Sequence, residues 1–326
     1  MYSKPHLSDV KQLELLKSRG MIISDWDQSI KILKKVGYYR FSAYSYPFRE
    51  ILPQEQRQSE TNFRSENFLG ETKFDTIVQL VEFDSELRKL LFEAFEQIEI
   101  TLCARLAYLA GKKHRFIHES RESLDTDRCK KLITVKGKKI SQWEAWQDKL
   151  NVLKSQAQRE DYFQHFEQKY NGQIPIWVAV EFIDFGGIAR LLSLFPAKLQ
   201  STVAKEFGIT QGSTFSRWII GLNYLRNKVA HHNRVWNRKM TYGLSKPNPT
   251  EVGMELEHLC VREQDLDTCY DYLVVVAYLM KTISPKSAWN RKLRILMNRF
   301  PEAPVISPEK DMGFPDDWQL LPLWSS

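Results

Sequence analysis

Cysteine is scarce in this chain of 326 residues, and its spacing excludes two kinds of stabilised domain. The four cysteines are Cys103, Cys129, Cys260 and Cys269, and no pair has zinc-finger spacing or suggests a disulfide framework. Reduced thiols are typical of the cytoplasm, where disulfides seldom persist. The sequence therefore predicts a cytoplasmic protein without a metal site.

Long apolar runs are also missing. The longest, Tyr272–Met280, is far shorter than the roughly 20 apolar residues that cross a bilayer, so we interpret it as a core helix. The N-terminal residues carry no apolar signal region. The chain has no internal repeat, no Gly-rich phosphate loop and no dinucleotide-binding fingerprint. We therefore expect neither a membrane partner nor a cofactor.

What the chain does contain is enough apolar material for a core and an excess of positive charge. Hydrophobic residues make up 43%, aromatic residues 12%, and the net charge is +7, which favours an anionic partner. We predict an all-α fold with three parts. They are a helical, aromatic-rich extension over 1–73, a helical core over 74–299 with a basic insertion at about 111–140, and an irregular tail over 300–326.

Most segments have helical periodicity and recognisable caps. Ser8 caps a first predicted helix, and Ser24 or Asp25 caps a second. Further helices are predicted over about 74–110 (one helix or two), 141–156, 160–170, 175–187, 213–231, 265–282 and 285–299. In the helix over 175–187, Ile176, Trp177, Val180 and Phe182 are predicted to point inward. Residues 52–73 and 241–262 are predicted loops.

The segment Leu225–Arg234 carries the groups that could perform chemistry. It places Arg226, Asn227 and His231 within six residues, at the end of a predicted helix. Imidazole titrates near neutral pH and can transfer a proton. Guanidinium keeps its charge and binds phosphate with two donors. An amide between them can orient either group, so the trio suits RNA cleavage without a metal.

The predicted helix would carry Arg226 toward the core. Its apolar stripe contains Phe215, Trp218, Ile219, Leu222, Leu225 and Val229. Arg226 falls inside that stripe and needs a partner, for which Glu96, Glu99 and Arg105 are the candidates that neutralise it or order the site. His231 lies about 140° around the helix from Arg226, so the two do not share a face. A structural interpretation stays open, with Arg226 as a clamp between helices and His231 as a helix end.

The bare pattern of Arg followed by His has low specificity. A second match runs from Arg159 to His165. Its first intervening residues are Glu160 and Asp161, and these acids would repel an incoming phosphate. We therefore favour the Arg226 segment.

Candidate RNA-binding residues lie in three basic or aromatic segments. They are Tyr38, Tyr39, Arg40, Lys112, Lys113, Arg115, Lys136, Lys138, Lys139, Arg234, Trp236 and Arg238. The first group belongs to the cluster 37–49, which is either a packed elbow between helices or a base-stacking surface. The basic stretch 111–140, with a short hairpin or loop at 134–140, is either a solvated face or part of an RNA groove.

Several segments together resemble the bacterial Abi proteins of the AbiD/AbiF type, which contain a HEPN helical domain. The similarity covers nearly the whole chain and includes Gly37–Arg40, Phe83–Arg88, Pro175–Trp177, Arg226–Arg234 and Met312–Pro315. The Arg226–Arg234 segment is the specific part. The aromatic and Pro-Ile-Trp segments identify the family more than they identify chemistry.

The resemblance implies an all-α HEPN-like bundle and a role in abortive infection, a defence against bacteriophage. HEPN proteins are commonly metal-independent endoribonucleases, and their motif corresponds to Arg226, Asn227 and His231. The residues themselves add two further candidates, which are His232 as the acid for the leaving group and Glu99 as a supporting carboxylate. Members of the AbiF type pair with a small non-coding RNA that restrains them, as in a toxin–antitoxin system. Two facing motifs usually form a HEPN site, which here implies a homodimer.

Two other functions remain compatible with the sequence. In one, the chain is a non-catalytic RNA-binding regulator with a structural Arg226. In the other, it is a protein-interaction module whose basic charge is incidental.

Overall fold

The computed structural model describes residues 5–57, 59 and 63–325, and it is mostly helical. Helices contain 59% of the residues, and the only sheets described are two small antiparallel pairs of strands. The predicted all-α class is confirmed. The chain divides into two compact units, and the division falls within two helices. The first unit ends at Leu87 and takes in Ile295–Phe314; the second comprises Arg88–Arg294 and the residues from Pro315 onward.

The first unit begins with three short helices: α1 (Asp9–Ser18), α2 (Trp26–Val36) and α3 (Tyr38–Ser45). Both predicted caps are confirmed, because the Ser8 side chain accepts a hydrogen bond from the Lys11 amide and Asp25 accepts one from the Gln28 amide. Strands β1 (Arg49–Ile51) and β2 (Arg64–Phe68) follow, and then the start of α4 (Phe74–Gly111).

The predicted loop over 52–73 is wrong in part, because β2 lies inside it and pairs with β1. A strand of five residues with only its last residue buried leaves no alternation that would have identified it. Positions 58 and 60–62 of that loop lie outside the described residues, as do 1–4 of the predicted extension and 326 of the tail.

The second unit holds the rest of α4, a hairpin and most of the remaining helices. The helices are α5 (Thr126–Lys130), α6 (Gln142–Ala157), α7 (Asp161–Tyr170), α8 (Ile176–Ala179), α9 (Phe185–Leu194), α10 (Ala197–Lys205), α11 (Gly212–Ala230), α12 (Glu257–Cys260), α13 (Cys269–Ile283) and α14 (Trp289–Met297), of which the last runs on into the first unit. The hairpin pairs β3 (Leu132–Val135) with β4 (Lys138–Ser141), as predicted for the basic insertion. The predicted long helix from Phe74 is one continuous helix.

The predicted helix over 175–187 is wrong. The structure has the four-residue α8 and then α9, which begins after Asp184; the Asp184 side chain caps α9 by accepting a hydrogen bond from the Gly187 amide at 2.7 Å. Trp177, predicted to point inward, is 53% exposed. α10 was not predicted, because Pro196 and a cap without side-chain bonds give only a weak start signal.

The tryptophans form much of the core of the second unit. Five of them are fully buried: Trp146, Trp218, Trp236, Trp289 and Trp324. The end of the tail is anchored in this core, because Trp324 is buried and its ring packs edge-on against Trp318. The burial of such large rings explains why the irregular residues from Pro315 onward are held on the second unit.

Helix α11 is held close to α10 because its first residue is glycine. A Cβ atom on Gly212 would lie 2.5 Å from the Ser201 amide nitrogen and 2.6 Å from the Gln200 carbonyl carbon. Both are backbone atoms of α10, so neither can move aside as a side-chain end would. The close approach of the two helices thus depends on the missing side chain at Gly212.

We expect Gly212→Ala to lower the free energy of unfolding by about 1–3 kcal/mol, because the cost of overpacking exceeds the gain in helix propensity. Urea unfolding followed by circular dichroism measures the change. Gly243→Ala is the matched control, since a Cβ there meets nothing within 4 Å. Equal stability of the Gly212→Ala variant and the control would contradict the packing account.

Candidate active site

Helix α11 positions the Arg226 segment as the sequence predicted. Its apolar stripe is buried, including Phe215, Trp218 and Leu225. The helix ends at Ala230, and the His231 amide donates a hydrogen bond to the Asn227 carbonyl at 3.0 Å. His232 has a φ of +55°, in the left-handed region, so the chain turns sharply away from the helix axis there. The side chains of His231 and His232 are exposed at this end.

Arg226 is half-buried and pairs with a carboxylate of α4. Its Nη2 atom lies 3.4 Å from Oε2 of Glu99, and the two side chains are 34% and 25% exposed. Of the three predicted partners, Glu99 makes this contact. Arg105 instead pairs with Glu206 at 2.9 Å. The ion pair joins α4 to α11 at the position where the motif begins.

Burial dominates the electrostatics of Glu99. Removal of the carboxylate from water raises its pKa, and the positive charge and hydrogen bond of Arg226 lower it by a smaller amount. The net pKa lies above the ordinary value for a glutamate. The ion pair therefore offsets only part of the cost of burying this charge.

Arg226 stands where two cavities meet. The larger has a volume of about 1200 Å³ and runs along α4 from Phe92 to Gly111 and on to Lys112, with Trp177 and Phe182 also in its lining. Four large apolar side chains in its wall are more than half exposed: Phe92, Ile100, Tyr108 and Trp177. Cys103 lines it too, and burial raises the pKa of that thiol to about 12, so it is not a nucleophile.

The smaller cavity, of about 340 Å³, is polar. It lies beside the N-terminus of α9, and its lining consists of Lys149, Asp184, Phe185, Gly186, Arg190, Asn223, Arg226 and Asn227. Arg226 and Asp184 line both cavities. Lys149 pairs with Asp184 at 2.6 Å. Sequence reasoning missed Lys149 and Arg190, because they come from α6 and α9, and no local pattern reveals that α6 packs on α9 and α9 on α11.

The predicted catalytic residues are close in sequence but do not all line one cavity. Arg226 and Asn227 line the polar cavity, whereas neither His231 nor His232 lines either of the two. This agrees with the predicted angle of about 140° between Arg226 and His231. Within one chain, the cavity that holds the guanidinium does not include the imidazole.

The predicted RNA-binding residues of the second unit divide into surface and core. Trp236 is fully buried, so its ring fills the core and cannot stack on a base in this conformation. The other residues are at least partly exposed: Lys112, Lys113, Arg115, Lys136, Lys138, Lys139, Arg234 and Arg238. Lys136 has a φ of +50° and, with Gly137, forms the turn of the β3–β4 hairpin, which holds its lysines in solvent.

In the first unit, the cluster 37–49 is mainly a packed elbow. Phe41, Tyr44 and Phe48 are buried, and the Tyr44 hydroxyl donates a hydrogen bond to Asp84 at 2.6 Å. Tyr38 is half-buried, and its hydroxyl accepts a hydrogen bond from Arg19 at 3.2 Å. Tyr39, 88% exposed, is the side chain of this group best placed to stack on a base. Arg40 is partly exposed on the same helix.

The second Arg–His pair lacks the geometry of the first. Arg159 precedes Glu160, the N-cap of α7, whereas His165 lies within that helix with its ring edge-on to Phe166 and Tyr170. Both side chains are exposed. The pair therefore has no half-buried arginine beside a cavity.

Over the described residues, no group of His, Cys, Asp or Glu side chains is arranged to hold a metal ion. In the same part of the chain, no helix combines the length and the hydropathy needed to cross a bilayer.

Comparison with known proteins gives one match. A family model described as Abi-like protein matches residues 31–237, which is more than half of the chain and includes Glu99 and the Arg226 segment. Searches of curated proteins and of solved structures found no match. The family match supports a role in abortive infection.

We expect Glu99→Gln to raise the free energy of unfolding at neutral pH. Because the folded pKa of Glu99 lies above the unfolded pKa, its contribution to stability is complete below the unfolded pKa and is lost as pH rises through the folded pKa. The stability that the Glu99→Gln variant gains over the wild type should therefore disappear as pH falls from the folded pKa of Glu99 to its unfolded pKa. Urea unfolding at several pH values measures it.

Glu96→Gln, at an exposed position on the same helix, controls for the loss of one negative charge. A wild-type protein that is more stable than Glu99→Gln at neutral pH would mean that the ion pair outweighs burial.

Proposed function

The chain belongs to the Abi-like protein family, and from this premise we propose that it acts in abortive infection as a metal-independent endoribonuclease. The observation that carries the proposal is the position of Arg226. The guanidinium is held by Glu99 at the junction of two cavities, one of them polar and cationic, and the helix that bears it ends at an exposed imidazole. A fixed positive charge beside open space is what an incoming phosphodiester requires.

The proposed reaction is an intramolecular transesterification. His231 removes the proton from a ribose 2′-hydroxyl, and the 2′-oxygen forms a bond to the adjacent phosphorus. Arg226 stabilises the negative charge on the phosphoryl oxygens, and Asn227 orients the hydroxyl or the imidazole. The bond from phosphorus to the 5′-oxygen breaks, and His232 supplies the proton to that oxygen. The products are a 2′,3′-cyclic phosphate and a 5′-hydroxyl.

The complete site requires a second copy of the chain. Within one chain, His231 lines neither of the two cavities that Arg226 lines. A homodimer that apposes two α11 ends would place the histidine of one copy near the arginine of the other. The apolar wall of the larger cavity supports this occupant, because Phe92, Ile100, Tyr108 and Trp177 are exposed beside Arg226. Exposed large apolar groups next to a functional site mark an interface.

The exposed lysines supply a surface for the RNA backbone. Lys136, Lys138 and Lys139 project from a hairpin, and Lys112 and Lys113 follow the end of α4. Such residues attract phosphates without reading sequence. We assign the chain to the AbiD/AbiF type with a HEPN-like bundle, and we propose that a small non-coding RNA restrains it by binding this cationic surface.

A non-catalytic RNA-binding regulator is the second candidate. The observation that favours it is the Glu99–Arg226 ion pair itself, since a carboxylate that holds a half-buried arginine between two helices is also a structural clamp. The two functions differ in what happens when Arg226 is replaced. Loss of stability indicates a clamp, and loss of turnover in a folded protein indicates a catalytic group.

We expect Arg226→Gln and His231→Ala each to lower the rate of RNA cleavage by 100-fold or more, since removal of a proton-transfer group or of one charge-stabilising donor costs on the order of 10²–10³. His165→Ala, at an exposed histidine outside the site, is the control. Circular dichroism melting verifies that the variants fold. Full cleavage by His231→Ala would refute the mechanism.

A mixture of the two inactive variants tests the composite site. In a mixed dimer, one site lacks both Arg226 and His231 and the other site has both. Random pairing makes about half of the dimers mixed, and each of these has one intact site of two, so about a quarter of the wild-type rate is restored. If each site uses Arg226 and His231 of the same chain, mixing restores nothing, and the homodimeric site is wrong.

A further inference from the structure

The polar cavity beside Arg226 carries more positive charge than its own structure neutralises. Three cationic side chains line it, Lys149, Arg190 and Arg226, against one carboxylate, Asp184. They come from helices α6, α9 and α11, so the charge cluster is built by tertiary packing rather than by one helix face. Concentrated charge of one sign in a concave site favours a ligand of the opposite sign.

Both oxygens of this carboxylate already accept a hydrogen bond within the protein. Oδ1 of Asp184 accepts a hydrogen bond from the Gly187 amide at 2.7 Å, and Oδ2 accepts one from Lys149 Nζ at 2.6 Å. Glu99 pairs with Arg226 from the side of the larger cavity. Arg190 is the cation of this cavity that has no acidic partner, since no acidic side chain in the described part of the chain lies within ion-pair distance of its guanidinium. The Arg190 side chain is partly exposed.

Two amides complete the lining. Asn223 and Asn227 lie one helical turn apart on α11, on the same face, and both line the cavity. Asn223 fits against the start of α9 because residue 186 is glycine; a Cβ there would lie only 3.3 Å from Asn223 Nδ2. The cavity thus offers guanidinium, ammonium and amide donors, the set that binds phosphate oxygens.

We propose that this cavity binds a phosphodiester of the RNA chain adjacent to the one at Arg226, with Arg190 as its principal ligand. The inference rests on the proposed function, because it takes Arg226 as the group that holds the scissile phosphate. Arg190 then positions the strand, so that the neighbouring nucleotide is presented to the imidazole. A volume of about 340 Å³ accommodates a phosphate group with its hydration.

Binding of a single-stranded 2′-O-methyl RNA, which lacks the attacking hydroxyl, tests the proposal without cleavage. The full-length wild type, Arg190→Gln and Arg190→Lys are titrated with this RNA between 50 and 200 mM salt. Arg190→Gln is expected to weaken binding about tenfold at low salt and to lower the slope of log K against log salt by about 0.7, the value for one phosphate contact in a single strand. Arg190→Lys is expected to retain the slope and lose part of the affinity, since lysine lacks the two-donor geometry.

Arg217→Gln is the matched control, because Arg217 is an exposed arginine on α11 that does not line the cavity. If Arg190→Gln and Arg217→Gln change affinity and slope equally, the proposal is overturned. If inorganic phosphate or a mononucleotide binds in an Arg190-dependent way and RNA does not, the cavity takes a free phosphate and the proposal is also overturned. A wild-type protein that cuts no RNA but shows the Arg190 effect would refute the nuclease and support the cavity as a phosphate site.

Discussion

The ion pair between Glu99 and Arg226 is the contact on which the site depends. Arg226 follows Leu225 in an apolar stripe and is half-buried, and the long helix α4 supplies its carboxylate partner from a position that is itself half-buried. Burial raises the pKa of Glu99, and the ion pair with Arg226 offsets only part of that shift, so burying this carboxylate costs stability. A costly buried charge at the mouth of a cavity is better explained by function than by stability.

Helical geometry then limits what one chain can do. A guanidinium and an imidazole five residues apart point in different directions from one helix, and the helix ends at the second of them. Arg226 lines both cavities. The exposed apolar wall of the larger cavity is suited to a protein surface, and the positive charge of the polar cavity is suited to a phosphate. The proposed dimer and the proposed strand-positioning cavity both follow from this division.

Local patterns predicted the helices that have strong caps and clear periodicity. Ser8 and Asp25 mark helix starts that the structure contains, and the apolar stripe of α11 predicted both its buried face and the inward turn of Arg226. Glu99 was identified because its spacing from Phe95 and Leu102 turned it toward the same core. These features depend on residues within one or two helical turns.

Features that depend on tertiary packing were beyond local patterns. Trp236 and Trp324 are aromatic residues in polar or irregular segments, and only the packing of distant helices shows that they are core residues. Lys149 and Arg190 carry no motif, yet they meet Arg226 in one cavity because α6, α9 and α11 pack together. The measurement that tests the central claim most directly is the chemistry of the RNA ends left by the purified full-length protein in the presence of EDTA. The account predicts cleavage with 2′,3′-cyclic phosphate and 5′-hydroxyl ends; 3′-hydroxyl and 5′-phosphate ends, or cleavage that appears only with a divalent metal, would contradict it.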